Sequence, residues 1–200
     1  MRAGDAFAWR VIEIESVAPQ PWRNGGGFTR ELLRVPDSPE WGCRISVAEI
    51  VRDGPFSPYL CIDRHFALIE GNGLALHLPD RRLDCGPGHP PVVFDGAQAC
   101  HAVPVAGPVR VCNLMFERQR AGGQMLRSQA GMPLDLRIAG GQLLAILAFD
   151  RVALSGDEGV IDSLGAGHLH WAEVPDGRQE RALRLSGSAL VMQVQWAGRD

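Results

Sequence analysis

The chain has 200 residues, 46% hydrophobic and 22% charged, enough for one sizeable core or for two small β-units. A formal charge of −3 gives no electrostatic basis for binding nucleic acid or an anionic membrane, and no apolar run reaches the length of a membrane span. Twenty-four glycines and fourteen prolines suit many short strands joined by tight turns.

In chain order, residues 7–14 read as a first strand, and Pro19 and Pro21 lead into W-R-N-G-G-G-F-T-R-E at residues 22–31. The asparagine and three glycines let the backbone reach φ > 0. Two readings stand here: a glycine-rich hairpin loop, or a loop that clears space beside a pocket with Trp22, Asn24 and Thr29 at its rim. A phosphate-cradling loop fits poorly, because no Gly-Lys-Ser/Thr follows and the next element is extended. That element sets Thr29, Glu31, Leu33 and Val35 against Arg30, Leu32 and Arg34. After a turn at residues 36–40, residues 41–51 form a long strand with Cys43, Ile45, Val47 and Glu49 on one face. Arg44, Ser46, Ala48 and Ile50 share the other. Residues 56–59 are too proline-broken for a regular strand. Residues 66–70 and 74–78 flank Gly71-Asn72-Gly73, a hairpin signal, and residues 92–94, 100–105 and 109–116 follow as strands.

Residues 118–129 are polar, contain Gly122-Gly123 and read as a surface connection. They place a boundary near Gly122, dividing the chain into 1–121 and 122–200. Residues 134–138, 143–149, 152–154, 168–174, 182–185 and 189–196 are the expected strands of the second half. No segment carries a sustained helical stripe, so the expectation is an all-β chain of two jelly-roll β-barrel halves packed together. The N-terminus lacks the long apolar stretch of a secretory signal. The five cysteines, odd in number and without a C-x-x-C pair, read as free, buried thiols in a cytoplasmic protein.

Metal ligation has little support. His65, His77, His89 and His101 are scattered, and the one H-x-H, His168-Leu169-His170, has Glu173 pointing to the other face. Surface or interface histidines are the favoured account, a metal cupin built on His168 and His170 the alternative, and no cofactor is expected. There is no G-x-S-x-G elbow, and Cys100 and His101 would face opposite ways on a strand. Glu31 and Glu49 are the carboxylates that could meet across strands and serve as a general base. What remains is polar: Asn24, Thr29, Arg44, Ser46, Arg64 and Asn113. Guanidinium groups match a carboxylate bidentately and keep their charge when desolvated. Arg44 either enters a lumen or faces solvent, and Arg64 reads equally as a rim charge at a strand start. Asn113 lies between apolar Val111 and Met115, so its amide needs a partner: backbone, water or ligand.

The ordered set W-R-N-G-G-G-F-T-R-E, W-G-C-R-I-S-V-A-E-I, D-G-P-F-S-P-Y-L-C-I-D-R, G-N-G-L-A-L, F-D-G and G-P-V-R-V-C-N-L-M, spanning Trp22 to Met115, resembles the HutD/Ves family. The resemblance implies a bicupin in the bacterial cytoplasm associated with histidine utilisation, without clear enzymatic activity, acting as a regulator that binds a small catabolic intermediate. Its motif positions fall on Trp22, Asn24, Gly25, Gly26, Gly27, Thr29, Glu31, Arg44, Ser46, Glu49, Phe56, Ser57, Arg64 and Asn113. The chain departs from the pattern at Tyr59-Leu60-Cys61, where members usually carry phenylalanine and a more open turn. The resulting expectation is a metal-free protein, with or without a homodimeric partner. It would bind a small carboxylate or formylated metabolite (urocanate, formiminoglutamate, formylglutamate or formate) through Trp22, Asn24, Thr29, Arg44, Ser46, Phe56, Arg64 and Asn113. An isomerase or hydrolase using Glu31 or Glu49 as general base is the alternative.

Overall fold

The structure is a computed structural model in which residues 7–198 are described. Antiparallel pairing joins the strands, as between β4 and β11 or β14 and β19, and no α-helix occurs among the described residues. Alternating Val, Ile, Leu and Phe favour this outcome, because β-branched and aromatic side chains pack well on a pleated surface. The described residues divide into two compact units: residues 17–122, and residues 7–16 together with 123–198.

The strand β1 (Arg10–Glu13) pairs with a strand near the other end of the chain, Arg10 lying opposite Trp171. Sequence position places residues 7–16 with the first half. Long-range pairing places them with the C-terminal segment, because neighbouring strands satisfy each other's backbone groups whatever their separation along the chain.

In the unit of residues 17–122 the strands are β2 (Gln20–Pro21), β3 (Gly27–Val35), β4 (Cys43–Ile50), β5 (Gly54–Pro55) and β6 (Ile62–Glu70). They continue with β7 (Leu74–His77), β8 (Arg82–Cys85), β9 (Val92–Asp95), β10 (His101–Pro104) and β11 (Val109–Glu117). One sheet has the order β2-β3-β4-β11-β6-β9 and the other β5-β10-β7-β8. A core that includes Ile50, Phe66, Leu68, Leu74, Leu76, Phe94 and Val111 draws on both sheets, which face each other as a sandwich. The sheets are not closed into a barrel.

Two expectations change here. Gly71-Asn72-Gly73 is not a hairpin: β6 pairs with β11 and β9, whereas β7 pairs with β10 and β8. Gly71 and Gly73 take φ of 103° and 148°, turning the chain from one sheet into the other. Secondly, the alternation through Thr29, Glu31, Leu33 and Val35 breaks at a bulge between Glu31 and Leu33. Leu32 is the extra residue, so Leu33 pairs with Ile45 and Arg34 with Arg44. Leu32 and Leu33 are thereby both buried, and Arg34 joins Glu31 on the face of Arg44.

The second unit contains β12 (Ala121–Ser128), β13 (Leu134–Ile138), β14 (Gln142–Ala148), β15 (Val152–Gly156), β16 (Gly159–Leu164), β17 (His168–Glu173), β18 (Arg181–Ser186) and β19 (Ala189–Trp196). Its sheets are β1-β17-β14-β19-β12 and β13-β18-β15-β16, around a core that includes Ile138, Leu144, Ile146, Leu154, Leu185 and Val191. Residues 121–128, expected as a surface connection, are an edge strand beside β19. Their polar composition suits an edge with one partner, and a Cβ at Gly123 would collide with the Gln193 carbonyl, so glycine lets the backbones approach. All five cysteines are free; four are buried, while Cys61 is exposed with φ of 61°.

Candidate functional site

Register alone assembles the site. On the face of the six-stranded sheet that lines the sandwich interior, one row across the strands reads Arg34, Arg44, Met115, Arg64 and Phe94. The next row reads Glu31, Ser46, Asn113, Phe66 and Val92, and a third begins Thr29, Ala48 and Val111. Strands lie about 4.8 Å apart, so Arg44 and Arg64 stand about 10 Å apart on either side of Met115. Above these rows opens a cavity of about 490 Å³ whose lining includes Trp22, Thr29, Arg44, Ser46, Phe56, Tyr59, Arg64 and Asn113. Ala48, Phe66, Val111 and Met115 of the same sheet face also line it, so polar and apolar groups share its floor.

Arg44 turns inward, with its side chain 15% exposed. Its Nε donates to Glu31 Oε2 at 2.6 Å, and Nη1 makes a long 3.5 Å contact to the Tyr59 hydroxyl. Arg34 Nε lies 3.4 Å from the other Glu31 oxygen, so both oxygens face guanidinium groups. That arrangement neutralises Arg44 and leaves Glu31 poorly placed to accept a proton from substrate.

Arg64 differs. It is 6% exposed, and Nη2 donates to Asn113 Oδ1 at 2.7 Å, while its Nε is buried without a hydrogen bond. The guanidinium lies between the rings of Phe56 and Phe94, at 4.9 and 5.0 Å. Its one hydrogen-bonded side-chain partner among the described residues is a neutral amide, not a carboxylate. Burial pushes its pKa down to about 10; Cys100 and Tyr59 oppose the fall, and the like charge of Arg44 adds to it. The group is therefore still cationic at neutral pH. A buried cation without a counter-charge favours an anion that arrives from outside. The reading of Arg64 as a rim charge is corrected: β6 turns it into the interior because its period-2 neighbours Phe66 and Leu68 belong to the core.

The glycine loop supplies one wall. Gly25 adopts φ of 67°, Asn24 Oδ1 accepts from the Gly26 amide at 2.9 Å, and a Cβ at Gly27 would collide with the Glu49 carbonyl. Asn24 thus shapes the turn as well as bordering the cavity. Trp22 Nε1 donates to Thr29 Oγ1 at 2.7 Å, and the indole meets Phe56 edge-on with centroids 5.9 Å apart. The hairpin and pocket-rim readings of this loop both describe it.

Glu49 is not part of this set. It pairs with Phe28 and Arg110 on the opposite face of β4 and does not meet Glu31. His168 and His170 lie on β17, their ring centroids 6.0 Å apart. His168 Nδ1 is 2.6 Å from the Ala166 carbonyl and His170 Nε2 3.2 Å from that of Gly165. Among the described residues no group of three or more His, Cys, Asp or Glu is placed to hold a metal. Cys100 is buried and His101 exposed, facing apart as a strand requires.

Sequence reasoning missed Arg23, an exposed cation at the cavity mouth, Phe94, the second ring over Arg64, and the lining role of Tyr59. Arg23 sits inside the W-R-N-G-G-G stretch and was detectable there. Phe94 was not, because its pairing with Arg64 depends on β6–β9 register.

Compared with known proteins, residues 14–191 match the HutD family model. The chain belongs to the HutD family. An uncharacterised 21.2 kDa protein in the hutC 3′ region of Pseudomonas putida is 25% identical over 174 residues, covering 74% of this chain and 88% of that protein. Protein Ves from Cronobacter sakazakii is 28% identical over 115 residues, covering 57% of this chain; the chain spans 64% of the length of that relative. HutD from Pseudomonas fluorescens SBW25 superimposes with a TM-score of 0.81 at 22% identity, over 96% of this chain and 100% of that one. A cupin 2 conserved barrel domain protein from Leptotrichia buccalis matches with a TM-score of 0.51 at 9% identity, over 98% of this chain and 100% of that one, so the HutD fold here is cupin-like. No helix among the described residues is long and apolar enough to cross a membrane.

Proposed function

We propose that this HutD-family chain is a cytoplasmic bicupin that binds a small carboxylate or formylated metabolite of histidine breakdown, without a metal, and thereby modulates histidine utilisation. The observation that carries the reading is Arg64: a buried guanidinium facing a cavity, clamped by two rings and bonded to an amide rather than a carboxylate. Asn113 fixes the orientation of the fork, and Trp22 and Phe56 offer apolar walls. Binding would exchange water around a costly buried charge for a charge-assisted contact. The placement of one relative in the hutC 3′ region supports the choice of metabolites, and the solved HutD structure obtained in a formate condition makes formate a natural probe.

Calorimetry on metal-free protein with urocanate, formiminoglutamate, formylglutamate and formate tests this. At least one binds, and Arg64→Met lowers its affinity by roughly 10- to 100-fold, the worth of a charge-assisted hydrogen bond. Absence of binding for all four, or an unchanged affinity in Arg64→Met, overturns the reading.

A further inference from the structure

Arg64 keeps its bare charge because of the side chain that holds it. An arginine carries donors only, so the Asn113 atom 2.7 Å from its Nη2 is the carbonyl Oδ1, and the amide Nδ2 takes the other side. That bond fixes the flip of the amide. Asn113 lines the cavity beside its cross-strand neighbour Ser46, and among the described residues no protein acceptor holds Nδ2. The other groups around the guanidinium leave its charge standing. The rings of Phe56 and Phe94, 4.9 and 5.0 Å from its carbon, bring no carboxylate, and burial raises the Cys100 thiol, which keeps it neutral. An aspartate fits the same space and would also accept from Arg64. It would, however, cancel the cation and present an oxygen where Asn113 presents N–H.

We propose that Asn113 makes this cavity choose a carboxylate over the carboxamide of the same shape, by giving Arg64 a neutral partner and turning an N–H toward the ligand. The inference rests on Arg64 as the anchor of the proposed acid site. A carboxylate sets one oxygen on the guanidinium and the other on Asn113 Nδ2, and both contacts are charge-assisted. A carboxamide of the same size has an acceptor at one position only. With its oxygen on Arg64, its NH2 faces the NH2 of Asn113, and two donors lose water without gaining a bond. Turned around, it sets the NH2 against the guanidinium, and the buried cation receives no acceptor from the ligand. Charge and donor direction act together, and both are set at position 113.

Calorimetry on metal-free protein compares urocanate with urocanamide and formate with formamide. Formylglutamate and formiminoglutamate are compared with the derivatives in which either carboxylate is converted to a carboxamide. Wild type binds the tightest of the acids at least about 100-fold more tightly than its carboxamide, the combined effect of a lost charge-assisted bond and an unpaired donor. Asn113→Asp keeps an acceptor on Arg64, so a role limited to holding that side chain would leave acid binding unchanged. The new carboxylate instead repels the acid and accepts from the carboxamide NH2, and the acid-to-carboxamide ratio falls at least about 100-fold. Asn113→Leu keeps the charge of Arg64 but loses the donor. It lowers the ratio about tenfold and stands in for Asn113→Asp should thermal melts show that variant unfolded. A wild-type ratio below about tenfold, or a ratio unmoved in the folded variants, overturns the role of Asn113 while Arg64-dependent acid binding survives. No binding of any of the acids by wild type removes the anchor and the inference together.

Discussion

Replacing Arg64 by methionine separates a guanidinium kept for a ligand from one kept for the fold. Burial holds its pKa down at about 10, so the buried charge costs on the order of 3 kcal/mol, which the variant recovers. Against that stand the lost hydrogen bond to Asn113, about 1.5–3 kcal/mol, and two ring contacts of roughly 0.5–1 kcal/mol each. The opposing sums nearly cancel, so Arg64→Met should change stability by no more than about 2 kcal/mol. Breaking a buried ion pair instead costs about 3–5 kcal/mol. Urea denaturation of wild type and variant measures the difference. Thermal melts add a second readout: whichever of urocanate, formiminoglutamate, formylglutamate and formate binds, at about 100 times its Kd, should stabilise wild type by about 2.7 kcal/mol, or roughly 5–10 °C for a chain of this size. The variant should show no such rise. A loss above about 4 kcal/mol without ligand, or a ligand-induced rise that persists in the variant, would refute the argument.

Two further outcomes follow from other parts of the fold. Gly27→Ala places a methyl group against the Glu49 carbonyl and forces β3 from β4, so denaturation should show a loss of about 2–4 kcal/mol; an unchanged midpoint would mean the strands part easily. Burial lowers the pKa of both His65 and His170 below 6.5, so each is favoured neutral in the native state and proton-binding in the unfolded state. Their contribution is present above pH 6.5 and lost as pH falls through the native values. Stability measured from pH 7.5 down to 5 should therefore decline less steeply in His65→Gln than in wild type, and parallel curves would remove His65 from the account.

The expected β-architecture was legible because period-2 alternation and turn chemistry are local. The strands at Leu134–Ile138 and Ala189–Trp196 lie where apolar alternation and flanking glycines place them. Other elements were hidden for equally physical reasons. The β12 edge strand is polar because half its neighbours are solvent, so composition mistakes it for a loop. Gly71-Asn72-Gly73 carries a hairpin's residues, yet the choice between folding back on β6 and crossing to a second sheet depends on which other strands pair.

The site divides the same way. Residue pattern gathered Trp22, Asn24, Thr29, Arg44, Ser46, Arg64 and Asn113, and the resemblance to the HutD/Ves family added Phe56; all of them line one cavity. It left open which of Arg44 and Arg64 faces a cavity without a counter-charge. Which arginine is neutralised depends on the carboxylate its strand neighbour presents, and a single extra residue at Leu32 brings Glu31 and Arg34 together beside Arg44. Local sequence fixed the kinds of side chain on each strand. Only the pairing of distant strands, which must satisfy backbone hydrogen bonds and core packing at once, decided which buried cation is left without a carboxylate beside it.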